Sequence, residues 1–205
     1  MLGIASENQN QACFMLQILA TAARHCRICE PALPVPPNPI FKVEPGVRIL
    51  LISQAPGRLA HESGTPYLDP SGVRLRDWLG VDKATFYDTP FFGILPMGFC
   101  YPGKAKTGDL PPRPECAPQW HKPLLRMMPN VQLRVYIGQY AQYHYLGKRR
   151  ARNLTETVRA YEDYLPEEWP LPHPSPLNNR WLSRNPWFEL TVIPRLQEKV
   201  QQIIG

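Results

Sequence analysis

No apolar run in this 205-residue chain approaches the roughly 20 residues needed to cross a bilayer, so no transmembrane segment and no membrane partner are expected. The apolar stretch from Cys13 to Ala23 has no basic segment before it and is interrupted by Gln17, which argues against a secretion signal. Met15, Leu16, Leu19 and Ala22 instead recur at helical spacing and predict an amphipathic N-terminal helix that stops near His25. Cysteine is sparse and odd in number, at five, which excludes the dense pairing of a secreted disulfide scaffold and favours a reducing cytoplasm. Repeats, low-complexity blocks and long linkers are also missing, so residues 1–205 are expected to form a single domain, working as a monomer.

With 43% apolar and 20% charged residues the chain is neither disordered nor fibrous. Lysine and arginine number 23 against 17 aspartate and glutamate, a net charge of +6 that favours a polyanionic partner without naming it. Proline is the residue in excess, at 25, or about one residue in eight. The prolines gather around Pro31 to Pro39, Pro111 to Pro114 and Pro170 to Pro176, between apolar runs, and predict stiff loops around a core.

Val47 to Ile52 reads as a central strand buried on both faces, ended abruptly by Gln54, Ala55, Pro56 and Gly57. Ser71 is placed to cap a helix that runs through Leu79 and stops at Gly80. Thr85 to Tyr87 suggests a second strand and Leu133 to Ile137 a third, followed by a helix carrying Tyr140, Tyr143 and Tyr145. A fourth strand passes through Trp169 toward Pro172, and a last helix from about Pro186 to Ile204 is expected to kink at Pro194. Strands alternating with helices predict a three-layer α/β/α sandwich on a central, mostly parallel four-stranded sheet. Ligands of such sheets sit at the carboxyl ends of strands, here the turn after Ile52 and the loop at His173.

Those two places carry motifs. Ser53-Gln54-Ala55-Pro56-Gly57 and His173-Pro174-Ser175-Pro176-Leu177 resemble, in order and separation, the two active-site motifs of the uracil-DNA glycosylase superfamily. Gly64-Thr65-Pro66-Tyr67 is similar to the segment that supplies an aromatic ring under the flipped base in the iron-sulfur branch called family four. The resemblance runs from about Cys26 to the end of the chain. Cys26 and Cys29, separated by two residues, and Cys100 and Cys116, about 70 residues later, resemble the four-cysteine pattern of that branch. Thiolates prefer soft metals, and spacing alone leaves zinc and an iron-sulfur cluster equally open. The resemblance favours a 4Fe-4S cluster, with zinc as the alternative. Cys13 reads as a small core residue.

The resemblance implies a monofunctional DNA glycosylase, a hydrolase of base-excision DNA repair that flips uracil or another deaminated base from the stack and cleaves its N-glycosidic bond. His173 would donate a hydrogen bond to the departing base. Gln54, Ala55 and Tyr67 would hold the base, Ser175 would pinch a phosphate, and Leu177 would be the wedge that fills the space the nucleotide leaves. Asn178, Arg180 and Arg184 are further DNA-binding candidates, placed to reach phosphates.

Two departures bear on this reading. Gln54 and Ala55 stand where related enzymes carry a water-activating acid, so Glu62, His61 and Asp69 become the candidates for orienting water. The asparagine that reads the uracil edge has no match, and Asp88 is its candidate replacement. An alternative follows from both departures: a catalytically impaired protein of the same fold that binds damaged or single-stranded DNA.

Overall fold

Ile49, Leu50, Leu51 and Ile52 are wholly buried, as a strand covered on both faces requires, and they form β1 (Ile49–Ile52). The computed structural model describes residues 2–205, with side chains described from Gln11 onward. Before β1 lies α1 (Leu2–Arg24); after it, α2 (Arg58–Ser63), α3 (Pro70–Leu79) and α4 (Lys83–Asp88) lead to β2 (Phe92–Ile94). The chain continues through α5 (Cys116–Arg126), β3 (Leu133–Ile137), α6 (Gln139–Leu146), α7 (Leu154–Arg159) and β4 (Glu168–Leu171), then ends in α8 (Asn179–Arg184) and α9 (Ile193–Ile204).

The four strands are all parallel, in the order β2-β1-β3-β4. Ile49 lies opposite Phe92 on one side and Leu133 on the other, and Val135 lies opposite Trp169. Strand alternation sends Ile49 and Leu51 to one face, where they join the core built with Leu79 of α3 and Leu196 and Val200 of α9. Leu50 and Ile52 point the other way, into the core built with Leu16 and Ala20 of α1, Leu124 of α5 and Ala141 of α6. Each fully buried Leu or Ile contributes about 1.5–3 kcal/mol relative to exposure, so burying β1 on both sides anchors all three layers. The expected α/β/α sandwich is the fold observed.

The strand order also places the site. From β1 the chain moves outward to β2, then crosses back past β1 to lay down β3 on its other side. Connections that leave in opposite directions open a crevice at the carboxyl ends of β1 and β3.

Local details differ from the sequence expectations. Thr85 to Tyr87 is helical, within α4, because the Asp82 carboxylate accepts from the Thr85 N–H at 2.7 Å and starts a helix there; the second strand comes later, at Phe92. Asp69 rather than Ser71 caps α3, accepting from the Gly72 N–H at 3.0 Å. Pro194 lies at the start of α9, where its missing N–H costs nothing, and the preceding Phe188–Val192 turn is wound as a π-helix. On α1 the buried face is Leu16, Ala20 and Ala23, while Met15 is exposed.

Candidate active site

A cavity of about 500 Å³ opens at the crevice, walled by the Ser53–Gly57 turn, the Pro66–Ser71 segment, the loop around Asp109, the start of α6 and the His173–Asn178 loop. The first motif is locked from below: the Ser53 and Gln54 carbonyls accept from the Met97 and Gly98 N–H groups, at 2.8 and 3.0 Å. The Gln54 amide donates to the Leu110 carbonyl at 3.3 Å, tying this turn to the Asp109 loop.

Tyr67 is held in an unusual conformation. Its φ of 59° is left-handed, a state that costs a non-glycine residue on the order of 1–3 kcal/mol and persists only where the surroundings over-determine it. Here they do. The Gly72 backbone packs so close that a Cβ there would fall 1.7 Å from the Tyr67 carbonyl oxygen, and the Tyr87 hydroxyl fixes Pro66 through its carbonyl at 2.8 Å. The Tyr67 hydroxyl is buried, which drives its pKa upward and keeps the ring neutral, and the ring meets Phe86 edge-on while lining the cavity. A ring so fixed offers the cavity a flat apolar face without an entropic cost of ordering it.

Opposing chemistry comes from the loop after β4. Burial lowers the His173 pKa to about 4, with Asp69 acting in the opposite sense, so the imidazole is neutral at neutral pH. Its Nδ1 accepts from the Ser175 N–H at 3.2 Å, which leaves Nε2 as the protonated nitrogen. The loop is braced twice: Asn178 donates to the His173 carbonyl at 2.7 Å, and the Arg74 guanidinium of α3 donates to the Pro174 and Ser175 carbonyls and to Asn179. The Ser175 hydroxyl accepts from the Leu177 N–H at 3.3 Å. Leu177 itself is 74% exposed at the cavity mouth, an apolar side chain with no core to join.

Gln54, Ala55, Tyr67, Asp69, His173, Ser175, Leu177 and Asn178 therefore converge on one cavity. Other sequence candidates stand outside its lining. Glu62 is exposed on α2 and pairs with Arg58 at 2.7 Å; His61 faces Tyr101, its Nδ1 buried without a hydrogen-bond partner among the described residues. Asp88 is exposed at the end of α4, because a helix occupies the place where a strand was expected to carry it into the crevice. Arg180 and Arg184 lie exposed on α8, beside the cavity-lining loop, and among the described residues neither forms an ion pair.

The structure adds residues that no short motif marked. Gln139, directly after Gly138 at the carboxyl end of β3, lines the cavity. Gly138 has a φ of 81°, so a side chain there would be strained, although its Cβ would meet His173 only at an ordinary contact distance of 3.7 Å. At the end of β2, Ile94 and Pro96 give an apolar wall. Asp109 comes in on its loop. A β-strand terminus was the available signal for Gln139; nothing local distinguishes Asp109.

The cysteines form a second constellation. Burial raises the Cys29, Cys100 and Cys116 thiols, the latter two to about 11 and about 12, and the negative charge of neighbouring thiolates raises them further: Cys26 acts on all three, Cys29 on Cys100 and Cys116, and Cys100 on Cys116. Four sulfurs thus share one electrostatic neighbourhood, where a cation would favour the thiolate forms. The Phe99 N–H already donates to Cys116 Sγ at 3.3 Å. Among the described residues, no three His, Cys, Asp or Glu side chains are arranged to hold a single metal ion.

A parallel α/β sandwich with a fixed tyrosine ring, a neutral histidine and an exposed leucine around one cavity defines an α/β protein with its candidate site at the carboxyl edge of the sheet. Comparison with known families matches residues 41–197 to the Uracil DNA glycosylase superfamily, and the chain belongs to that superfamily. The match includes both motifs, Tyr67, Cys100 and Cys116, and begins after Cys26 and Cys29.

Proposed function

We propose that this protein is a monofunctional glycosylase that flips a deaminated base of DNA, uracil first among the candidates, into the cavity and hydrolyses its N-glycosidic bond. The observation that carries the reading is the His173 imidazole, neutral by burial and fixed as the Nε2–H tautomer by Ser175. Cleavage leaves negative charge on the departing base, and a pre-oriented neutral donor stabilises that charge as it develops. A protonated imidazole would form ion pairs with other anions; a neutral one keeps its hydrogen bond for the reaction. Tyr67 supports the flipped base from its fixed ring, and Leu177 enters the space vacated in the stack. Ser175 and the backbone of its loop meet a phosphate, with Arg180 and Arg184 on the flanking helix.

Cys26, Cys29, Cys100 and Cys116 are assigned to a 4Fe-4S cluster. Four neighbouring cysteines whose thiolate forms repel one another suit a cationic centre, and a cluster spans more widely than a single zinc, whose sulfurs lie at about 2.3 Å from the metal. The cluster's role is structural, since its ligands lie in the segment after α1, in the loop after β2 and at the start of α5.

One observation favours a second reading, a protein that binds damaged or single-stranded DNA without turnover. The first motif presents Gln54 and Ala55, neither of which can take a proton from water, and the end of β2 is Ile94 and Pro96 rather than an amide. Chromatography of free base released from a uracil-containing duplex separates the two readings. Release of uracil, leaving an intact strand with an abasic site, supports the glycosylase; binding without release supports the second reading.

A further inference from the structure

Two carboxylates line the cavity, and they are differently committed. Asp69 Oδ1 accepts from the Gly72 N–H at 3.0 Å, and its charge bears on His173, so it serves the start of α3 and the histidine wall. Asp109 stands on a tight loop closed by hydrogen bonds from Ala105 to the Gly108 carbonyl, 3.0 Å, and from Leu110 to the Gly103 carbonyl, 2.8 Å. That loop hangs over the first motif: Asp109 Oδ2 lies 3.5 Å from the position a Cβ on Gly57 would take, and the Gln54 amide holds the adjacent Leu110. At Gly108 the loop also approaches the wedge, since a Cβ there would lie 3.4 Å from Leu177 Cδ1.

Resting on the glycosylase reading above, we propose that Asp109 is a catalytic residue, the carboxylate that accepts the proton of the attacking water above the Gln54–Gly57 turn. It supplies from the loop between β2 and α5 what Gln54 and Ala55 lack, an anionic oxygen at the first motif. Burial raises its pKa, with Lys104 opposing, which makes it a better proton acceptor than a free aspartate. Its charge also opposes the positive charge that builds on the sugar.

The step balances without a further reactant. The C1′–N bond breaks and its electron pair leaves with the base, whose carbonyl accepts the His173 Nε2–H hydrogen bond. Water oxygen forms the new bond to C1′ and gives its proton to the Asp109 carboxylate, which passes it to solvent. The released base anion takes a proton from solvent, and the products are free base and an abasic sugar.

The test is single-turnover release from a uracil-containing duplex by the full chain, its D109N variant and its D109A variant, with affinity measured separately on a duplex bearing an abasic site. Both variants should lose on the order of 10²-fold or more in rate while binding the abasic duplex as wild type does. A folded variant within about threefold of the wild-type rate, or a rate loss matched by lost affinity, overturns the assignment. If one variant fails to fold, the other decides. Absence of release by wild type from this duplex and from hypoxanthine, xanthine and thymine-mismatch duplexes overturns the glycosylase reading and the Asp109 role together; wild-type release with active variants removes the Asp109 role alone.

Discussion

At His121 and His173 burial lowers the imidazole pKa to about 4 in each case, and the consequence for stability has a definite sign. An unfolded histidine takes up a proton near pH 6.5, whereas the folded one remains neutral until about pH 4. Stability from this source is therefore complete above pH 6.5 and falls as pH drops toward 4, by on the order of 3 kcal/mol for the deeply buried His121. Urea unfolding at pH 7.5 and 5.0 should show the loss, and His121→Gln should flatten it; an equal pH slope in that variant would contradict the burial argument. His121 is held by the Tyr145 hydroxyl at 2.6 Å and the Pro96 carbonyl at 2.9 Å, so its neutrality also fixes the wall that Pro96 contributes. At this scale the sequence was informative where the site is contiguous. Gln54 and His173 belong to short motifs just after strands β1 and β4, Tyr67 to a short motif between α2 and α3, and all three meet at one cavity. Asp109 and Gln139 reach it only through the folding of separate loops onto the sheet, which no local pattern records.

Among the elements, the loop between β4 and α8 carries the sharpest expectation. Arg74 and Asn178 brace its backbone, while Leu177 projects free from it, so Leu177→Ala should leave the loop and the chemistry in place. On the proposed wedge role, excision from paired substrates should fall by roughly tenfold or more, with single-stranded substrates much less affected, because unstacking a paired nucleotide costs a few kcal/mol that a wedge would offset. Single-turnover rates on matched duplex and single-strand substrates check this, and equal losses on the two would remove the wedge role. The elements themselves were legible in proportion to their burial. β1 is a continuous apolar run and β3 is one interrupted only by Arg134, and both were found within two residues; β4 was placed by Trp169 and the proline that follows. The segment at Thr85 to Tyr87 misled because β-branched and aromatic residues favour strands only as a weak preference, which the Asp82 cap overrides.

For the whole molecule, three layers around one parallel sheet put both motifs at the same edge, and the +6 charge gives the chain a general attraction to polyanions. The cysteines lie in the segment after α1, in the loop after β2 and at the start of α5, so the proposed cluster would tie together distant parts of the chain. Protein purified without oxygen should be brown, with about four iron atoms and broad absorption near roughly 400 nm as expected of thiolate-bound clusters; a colourless protein with one zinc would contradict that assignment. Cys29→Ala should lower solubility and thermal stability before it changes the chemistry. The central claim, that the cavity excises a base with His173 as its charge-stabilising donor, is tested most directly by one comparison. Wild type and His173→Ala are given duplexes carrying uracil, hypoxanthine, xanthine or a thymine mismatch, and alkali-sensitive strand breaks are scored under single-turnover conditions. Wild type is expected to open at least one substrate, with His173→Ala slower by on the order of 10²–10³ at nearly unchanged DNA affinity; no breaks on any substrate, or full activity in His173→Ala, would contradict the account.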